Sequence, residues 1–401
     1  MTKMSRMNIY LLAFGGFVVG TAELVVAGIL QLIADDLQIS IGLAGQLVTA
    51  YSLSFALGTP IFVAFTLRMG RRTLLVLSLI IFIIGSLVSF FSPNYAILMF
   101  SRVLLGLSAG VYTVSALGSA VKLVPADKMG SAIGIIALGF GSAIALGVPI
   151  GIAIAQWWSW QVIFAVLAVV SGLITLGLIR LLPQVEGDTP VPFTQQFKVL
   201  GNPVILTGLV VSLLMYTSNS VMLTYLSPYL ESILHMDQSR IGIMIFVLGV
   251  VGAFGSHLGG IGSDKWGSAR TITIAIAVSA GTLALLPVFT SLLALGLAFI
   301  TLWFFSFFLS NPALQTYFIQ QAPQSSNLVL GLNLSIVHLG LATGAGAGGA
   351  FVNSASTVLY NPWVASFTAA LALVAAIVSF TLSKKRKRSS SSKGTIPFGS
   401  F

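Results

Sequence analysis

Charged residues and cysteine are what this sequence has least of. Only 7% of its 401 residues are charged, only nine residues are acidic, and none is cysteine. A soluble domain averages about 25% charged residues, so this composition cannot cover a water-soluble surface. The missing cysteines exclude disulfides and cysteine-ligated metal sites. The chain is instead rich in hydrophobic residues, 57% of the total, which indicates a protein that crosses a membrane several times.

Twelve apolar segments follow one another along the chain. Each is roughly 20 residues or longer, the length a helix needs to cross about 30 Å of hydrocarbon. The first is too long for a cleavable signal peptide, and similar segments follow it. The sequence therefore predicts an all-α membrane protein with twelve transmembrane helices. The predicted spans are 8–33, 43–66, 73–92, 94–120, 131–155, 161–182, 203–229, 240–262, 270–289, 292–314, 328–352 and 361–383.

Lysine and arginine predict the orientation, because cytoplasmic loops carry an excess of both. With the N-terminus inside, all of the 19 basic residues except Arg102 and Arg240 fall in cytoplasmic segments. An even number of spans then places both termini in the cytoplasm. The net charge of +10 is thus a topology signal, and nucleic acid is not an expected partner.

The chain divides into two related halves. We expect a six-helix N-terminal half at 1–182, a cytoplasmic linker at 183–202, a six-helix C-terminal half at 203–383, and a disordered basic, serine-rich cytoplasmic tail at 384–401. Glycines that recur at an offset of 197 residues indicate a six-span duplication and hence two pseudo-symmetric halves. The pairs are Gly70 and Gly267, Gly134 and Gly331, Gly147 and Gly344, and Gly151 and Gly348.

Basic turns follow the second and eighth spans, as "VAFTLRMGRR" and "GIGSDKWGSAR". With twelve spans arranged six plus six, these turns resemble the loop motif of the major facilitator superfamily, in which a substrate site lies at the midplane between two halves. The first copy departs from the motif, with Val63 and Leu67 where glycine and aspartate are usual. The resemblance implies an inner gate held by charge pairing, mostly in the second copy; a solvated turn is the alternative. The gate candidates are Arg68, Gly70, Arg71, Asp264, Lys265 and Gly267.

Other stretches narrow the resemblance. "SRVLLGLSAG" resembles the fourth-span R-x-x-x-G pattern, and "GFGSAIALGVPIGI" is similar to the fifth-span motif of proton-coupled exporters. "AELVVAGIL", "SAIALGVPIGI" and "PALQTYFIQQAP" most resemble bacterial purine-base efflux pumps of the drug:proton antiporter branch; sugar-efflux relatives share much of the pattern. The resemblance covers residues 8–383. It implies a proton-coupled exporter of purine bases or nucleosides in a bacterial inner membrane.

Glu23 is the only acidic residue inside any predicted span. A charge at the centre of a span costs about 2.5–3.5 kcal/mol on insertion scales, so such residues usually face a cavity. Burial favours the neutral form of a carboxyl group, which suits a residue that takes up and releases protons. Arg102 lies at a similar depth and is the predicted coupling partner. The alternatives are a structural role for Glu23 and an Arg102 that snorkels towards the interface or caps backbone carbonyl groups.

Polar and aromatic residues in the second half are the candidates for substrate binding. Amide groups and aromatic faces suit a flat heterocycle, although each residue alone is as compatible with helix packing. The candidates are Tyr216, Asn219, Tyr225, Asn311, Gln315, Asn333 and His338. Small residues at helical spacing predict close helix packing; they are Gly147 and Gly151, with Pro149 between them, and Gly340, Gly344 and Gly348.

The sequence carries no convincing enzyme signature. "GLSAG" at 106–110 matches G-x-S-x-G, but that motif requires a strand-to-helix turn, and this stretch continues a predicted span. The three histidines lack metal-ligand spacing. We therefore expect a monomeric, non-enzymatic transporter without cofactor or metal, whose partners are protons, a small molecule and the lipid bilayer. Multidrug or sugar efflux, uptake instead of export, a membrane sensor and an intramembrane hydrolase are the alternatives.

Overall fold

A computed structural model describes residues 3–66, 69–125, 128–184 and 198–393. These ranges form fifteen α-helices. In the first half they are α1 (Lys3–Gly28), α2 (Leu30–Asp36), α3 (Ile41–Thr66), α4 (Arg71–Phe90), α5 (Tyr95–Leu123), α6 (Met129–Ser142), α7 (Val148–Trp157) and α8 (Trp160–Leu181). In the second half they are α9 (Pro203–Leu223), α10 (Leu226–Ser232), α11 (Gln238–Trp266), α12 (Ser268–Leu285), α13 (Leu293–Gln321), α14 (Ser326–Ala355) and α15 (Asn361–Lys393).

The described residues contain 12 helical stretches that are long and apolar enough to cross a membrane. Each overlaps one predicted span, so the predicted twelve-span, all-helical fold is confirmed. The helix of the fifth span is interrupted, and Pro149 explains the interruption. Pro149 lacks an N–H donor, and its ring crowds the carbonyl group four residues earlier. A π-turn over Ala143–Gly147 precedes it and absorbs that conflict.

Each half forms a bundle of its own. In the first half α4 packs on α5 and α8, α3 packs on α5, and α1 packs on α6 and α8. In the second half α9 packs on α14 and α15, and α13 packs on α11 and α12. Buried apolar side chains fill both bundles.

The two halves meet along two seams. In one, α3 packs on α14; in the other, α7 and the π-turn pack on α11. The approach is closest where glycine removes a side chain. A Cβ built on Gly42 stands 2.4 Å from the carbonyl oxygen of Gly349, and one built on Gly249 stands 2.4 Å from the Cα of Ala145. Substitution at either glycine therefore forces the halves apart.

The seam between α3 and α14 is closest toward one face of the membrane. We call the face where α1 begins and α15 ends the terminal side, and the opposite face the far side. Gly42, at the start of α3, and Gly349, near the end of α14, are close to the far side. On the terminal side, Cβ atoms built on Gly134, Gly260 and Gly331 have no atom within 4 Å. The halves thus touch at Gly42 and Gly349 near the far side, whereas these three glycines on the terminal side have free space around them.

The connecting segments depart from expectation at the C-terminus. Helix α15 continues to Lys393, so the tail predicted to be disordered, 384–401, is helical over 384–393. Residues 394–401 lie outside the described residues. Of the predicted linker, 185–197 also lie outside them, and Lys198–Gly201 form a 3₁₀ turn.

The glycines predicted to allow close packing lie against neighbouring helices. Cβ atoms built on Gly147 and Gly151 stand 2.1 Å and 2.3 Å from side-chain atoms of α1. In the second half, a Cβ on Gly344 stands 2.3 Å from the Thr217 carbonyl oxygen of α9. Gly340 and Gly348 face α9 and Tyr225 in the same way.

Candidate functional site

Glu23 lies in the middle of the first span, where the two halves meet. Its side chain is 17% exposed, and its Oε1 lies 3.4 Å from Nε2 of His338, a buried residue of α14. The His338 ring stacks on Phe55 of α3, with the ring centroids 3.5 Å apart and the planes 3° from parallel. A side chain of the second half is therefore held by two residues of the first. His338 was predicted as a substrate contact; the structure places it beside the acidic residue.

Arg102 makes different contacts from those predicted. The side chain is fully buried, and its three hydrogen bonds go to backbone carbonyl oxygens. It donates to Ala22 at 2.9 Å, to Leu47 at 3.3 Å and to the Glu23 main chain at 3.5 Å. Its guanidinium carbon also lies 4.6 Å from the centre of the Tyr51 ring. Arg102 thus ties α1 to α3 through the backbone, and the carboxylate of Glu23 contacts His338 instead.

The predicted substrate contacts are dispersed. Tyr216 donates a short hydrogen bond to Asn311, so these two polar groups partly satisfy each other. Asn333 accepts a hydrogen bond of 2.5 Å from Ser212, which fixes it inside the second half. Gln315 is exposed on α13, one turn from Asn311. The structure does not gather these residues into one pocket.

Tyr225 and Asn219 occupy two further environments. Tyr225 is fully buried at the far-side seam, where its hydroxyl donates to the carbonyl oxygen of Ala345 at 2.8 Å. Asn219 borders a small cavity within the second half. Its Oδ1 and the Nε1 of Trp303 in the same cavity are buried, and neither finds a hydrogen-bond partner among the described residues. Tyr225 thus serves the packing of a seam, whereas Asn219 belongs to a separate cavity.

A second, small cavity lies between the halves, near Glu23. We call it the central cavity. Ser227 carries the single hydroxyl group among its lining residues, and that oxygen is buried without a hydrogen-bond partner in the described part of the chain. The lining is otherwise apolar, and one helical turn of α1 separates Ala27 from Glu23. The lining residues are Leu24, Ala27, Gly28, Ile144, Val148, Leu223, Leu226, Ser227, Ile245, Leu248 and Phe304.

Sequence reasoning missed the central cavity. Its residues come from five spans, α1, the π-turn with α7, α9 with α10, α11 and α13. Apolar residues within apolar spans carry no individual signal, because the same side chains serve equally for lipid contact and helix packing. Glu23 was the one available marker, and it lies one helical turn from Ala27, which lines the cavity.

The predicted gate residues are at the terminal ends of the spans. Asp264, Lys265 and Gly267 are exposed, and within the described residues neither charged side chain is in an ion pair. The charge pairing predicted for the second copy is therefore not formed among those residues in this conformation. Gly267 has φ +85°, a conformation that favours glycine, and it separates α11 from α12. In the first copy, Arg71 is buried beside Gly118, Gly70 precedes α4, and Arg68 lies outside the described residues.

Twelve membrane-spanning helices in two bundles, a largely buried carboxyl group at their junction and a cavity between them define a polytopic membrane transporter. The chain belongs to the Major Facilitator Superfamily, whose family profile matches residues 12–333. It is 34% identical to the MFS-type transporter YbcL of Bacillus subtilis (strain 168), covering 94% of this chain and 97% of that protein. It is 29% identical to the inner membrane transport protein YdhP of Escherichia coli (strain K12), covering 92% and 94%.

Solved structures share the fold at low sequence identity. A D-xylose-proton symporter matches with a TM-score of 0.78 and 17% identity, over 94% of this chain and 97% of that one. A bacterial homologue of the human lysosomal transporter Spinster, in an inward-facing and unoccupied conformation, matches with a TM-score of 0.74 and 15% identity, over 95% and 96%. The chain is therefore a secondary transporter of the superfamily by family and by fold.

Proposed function

We propose that this transporter couples the movement of protons to the export of a small, uncharged molecule. The observation that supports this best is Glu23, a largely buried acidic side chain at the junction of the halves, in contact with His338 of the opposite half. A carboxyl group within a membrane domain that binds and releases a proton changes its interaction with such a partner, and so biases the packing of the two halves.

The proposed cycle is alternating access around the central cavity. Protons enter from the far side and neutralise Glu23, the halves rock, and the proton leaves on the terminal side. Export implies that the terminal side is cytoplasmic, as the distribution of lysine and arginine predicts. The E. coli relative described as an inner membrane transport protein supports a bacterial inner membrane. A monomer suffices for this cycle, because each chain carries both halves.

Purine bases or nucleosides are the substrate class we propose first. The resemblance of the "AELVVAGIL", "SAIALGVPIGI" and "PALQTYFIQQAP" stretches to purine efflux pumps supports it. The residues around the central cavity add no charged group, so a neutral substrate is favoured over a permanent ion. Tyr216 and Asn311 supply an aromatic face and an amide group in the second half, once their mutual hydrogen bond is broken.

A multidrug exporter is the second candidate, and a specific observation favours it. The lining of the central cavity is apolar apart from Ser227. Such a lining suits lipophilic molecules, whereas a purine loses hydrogen bonds with water that the cavity does not replace. Sugar efflux is less compatible with this lining, because a sugar has more hydroxyl groups to satisfy.

Counterflow in proteoliposomes distinguishes the candidates. Purified protein is tested with labelled adenine, hypoxanthine, arabinose and a lipophilic cation, each against the same unlabelled compound. Exchange of adenine or hypoxanthine supports the purine proposal. Exchange of the lipophilic cation without the purines supports the multidrug alternative, and exchange of arabinose alone supports the sugar alternative.

Proton coupling is tested with the Glu23→Gln variant, which keeps the side chain's size and removes its titration. We expect proton-driven accumulation of substrate to be lost, while exchange without a gradient continues, because exchange does not require proton release. Glu231→Gln is the matched control, since Glu231 is bonded to Gln238 near the far end of the seventh span. Uphill transport at the wild-type level by Glu23→Gln would contradict the proposal.

A further inference from the structure

We propose that Glu23 and His338 share a single transported proton, and that this shared proton bonds the two halves together. The inference rests on the proposed proton coupling and assigns His338 as its second residue. The hydrogen bonds described above for Arg102, Tyr216, Tyr225 and Asn333 each join groups of the same half. The contact between Glu23 and His338 differs from them, because it joins a residue of α1 to a residue of α14 and so bridges the halves.

The tautomer of His338 follows from its second contact. Its Nδ1 lies 3.0 Å from the carbonyl oxygen of Leu334. A carbonyl oxygen can only accept a hydrogen bond, so Nδ1 carries a proton in this geometry. Nε2, the atom that faces Glu23, is then either a proton acceptor or the second N–H of an imidazolium ion.

The presence or absence of one proton therefore decides whether Glu23 and His338 attract or repel each other. When the proton is present, a carboxylic acid donates to Nε2, or an imidazolium N–H donates to a carboxylate. When the proton has left, a carboxylate oxygen faces the lone pair of Nε2, and two acceptors repel each other. The 3.4 Å separation is about 0.4 Å longer than a usual N–H···O distance of about 3.0 Å. A small rotation of either side chain closes that difference.

The surroundings of the pair contain few other charges. Glu23 on α1 faces His338 directly. Arg102 on α5 is hydrogen-bonded to the main chain of α1 near Glu23, and its guanidinium group lies over the Tyr51 ring of α3. From α9, Tyr216 packs against Gly340, two residues from His338. On the remaining side the His338 ring is covered by Phe55. Among the described residues, no titratable group other than Glu23 is therefore shown in contact with the imidazole, so nothing there compensates for loss of the shared proton.

The pair also lies where the seam between α3 and α14 begins to open. Phe55 is 3% exposed, whereas Phe62, on the same helical face two turns nearer the terminal side, is 46% exposed. On α14, Gly331 lies two turns from His338 on the terminal side, and a Cβ built there has no atom within 4 Å. The open end of the seam thus lies two helical turns from the pair, and departure of the proton removes the bond that holds the seam at this level.

The test measures the opening of the seam as a function of pH. Gly331→Cys places a thiol at the open end of the seam; the native chain has no cysteine, so its labelling rate is specific. We compare this background alone with His338→Gln and with His257→Gln, a matched change at an exposed histidine of the same half. An amide N–H of glutamine donates to the Glu23 carboxylate at any pH, so it replaces the shared proton with a permanent donor.

We expect the labelling rate to change with pH by roughly 10- to 100-fold in the background and in His257→Gln, the factor that one hydrogen bond to a charged group supplies. Each rate is divided by that of a free model thiol at the same pH, because only the thiolate reacts; in His338→Gln this ratio should be nearly independent of pH. A wild-type pH response in His338→Gln, or a flat response in the background, would overturn the inference.

A second measurement remains informative if His338→Gln does not fold. Infrared difference spectra between low and high pH report the carboxylic acid C=O stretch of Glu23, identified by its loss in Glu23→Gln. In the shared-proton pair this band, or in the imidazolium form the ¹⁵N-sensitive bands of His338, changes with pH, and the histidine bands respond to Glu23→Gln. Histidine bands that are the same in Glu23→Gln overturn the inference. Failure of the broader proposal looks different, because substrate accumulation would then ignore the proton gradient in the wild-type protein itself.

Discussion

Arg102 illustrates how a single buried charge serves structure. An arginine inside a membrane domain is costly unless its donors are satisfied, and here three carbonyl oxygens of two helices accept from it. The fork of the guanidinium group suits several acceptors at once, whereas a lysine ammonium group is a compact point charge on a flexible stem. Arg102 therefore positions the turn of α1 that carries Glu23.

We expect Arg102→Lys to lower the free energy of unfolding by about 1.5–3 kcal/mol for each carbonyl hydrogen bond that lysine does not replace. Thermal unfolding of the purified protein in detergent measures this, with Arg270→Lys as a control at an exposed position. Proton-driven transport per folded molecule should persist, because Glu23 and His338 remain. Loss of coupling without loss of stability would instead favour a direct ion pair between Arg102 and Glu23.

Among the helices, the seams combine small residues with helix breaks. Helix α11 passes the π-turn so closely that a Cβ on Gly249 stands 2.4 Å from the Cα of Ala145. The spans were predictable because apolar length is a local property. Which helices form the seams was not, since glycines at the same spacing occur within a half and between halves.

A matched pair of substitutions on α11 tests the seam between α11 and the π-turn. Gly249→Ala places a methyl group against the backbone of the π-turn, whereas a Cβ on Gly260 of the same helix meets no atom within 4 Å. We expect Gly249→Ala to shift the population towards a conformation open on the far side. A Ser227→Cys thiol in the central cavity should then react faster with an impermeant reagent applied from that side. Equal rates for Gly249→Ala and Gly260→Ala would contradict this role.

For the molecule as a whole, the charged residues at the end of α11 form no ion pair among the described residues in this conformation. Asp264 and Lys265 are exposed, so any gate pairing stabilises a different conformation, one closed on the terminal side. Removal of a contact from that conformation shifts the population towards the present one.

Asp264→Asn should therefore increase the labelling of a Gly331→Cys thiol from the terminal side. Asp35→Asn, which removes an exposed carboxylate at the far end of the first span, serves as the control. We expect the fold to tolerate the substitution, because Asp264 is exposed. Unchanged labelling in a folded, expressed variant would show that the loop after the eighth span is a solvated turn and not a gate.

The class of protein and the number of spans could be read from the sequence alone, which also marked Glu23 as the one acidic residue inside a predicted span. They follow from the composition of short stretches of chain. About 20 consecutive apolar residues suffice for a span, and one acidic residue among them is costly wherever its neighbours lie. Tertiary packing, in contrast, brought Glu23 to His338, gave Arg102 its carbonyl partners and dispersed the predicted substrate residues. Those outcomes depend on the rotation of each helix about its axis and on the orientation of one half relative to the other. No local pattern encodes either quantity, because contacts between spans distant in sequence set both.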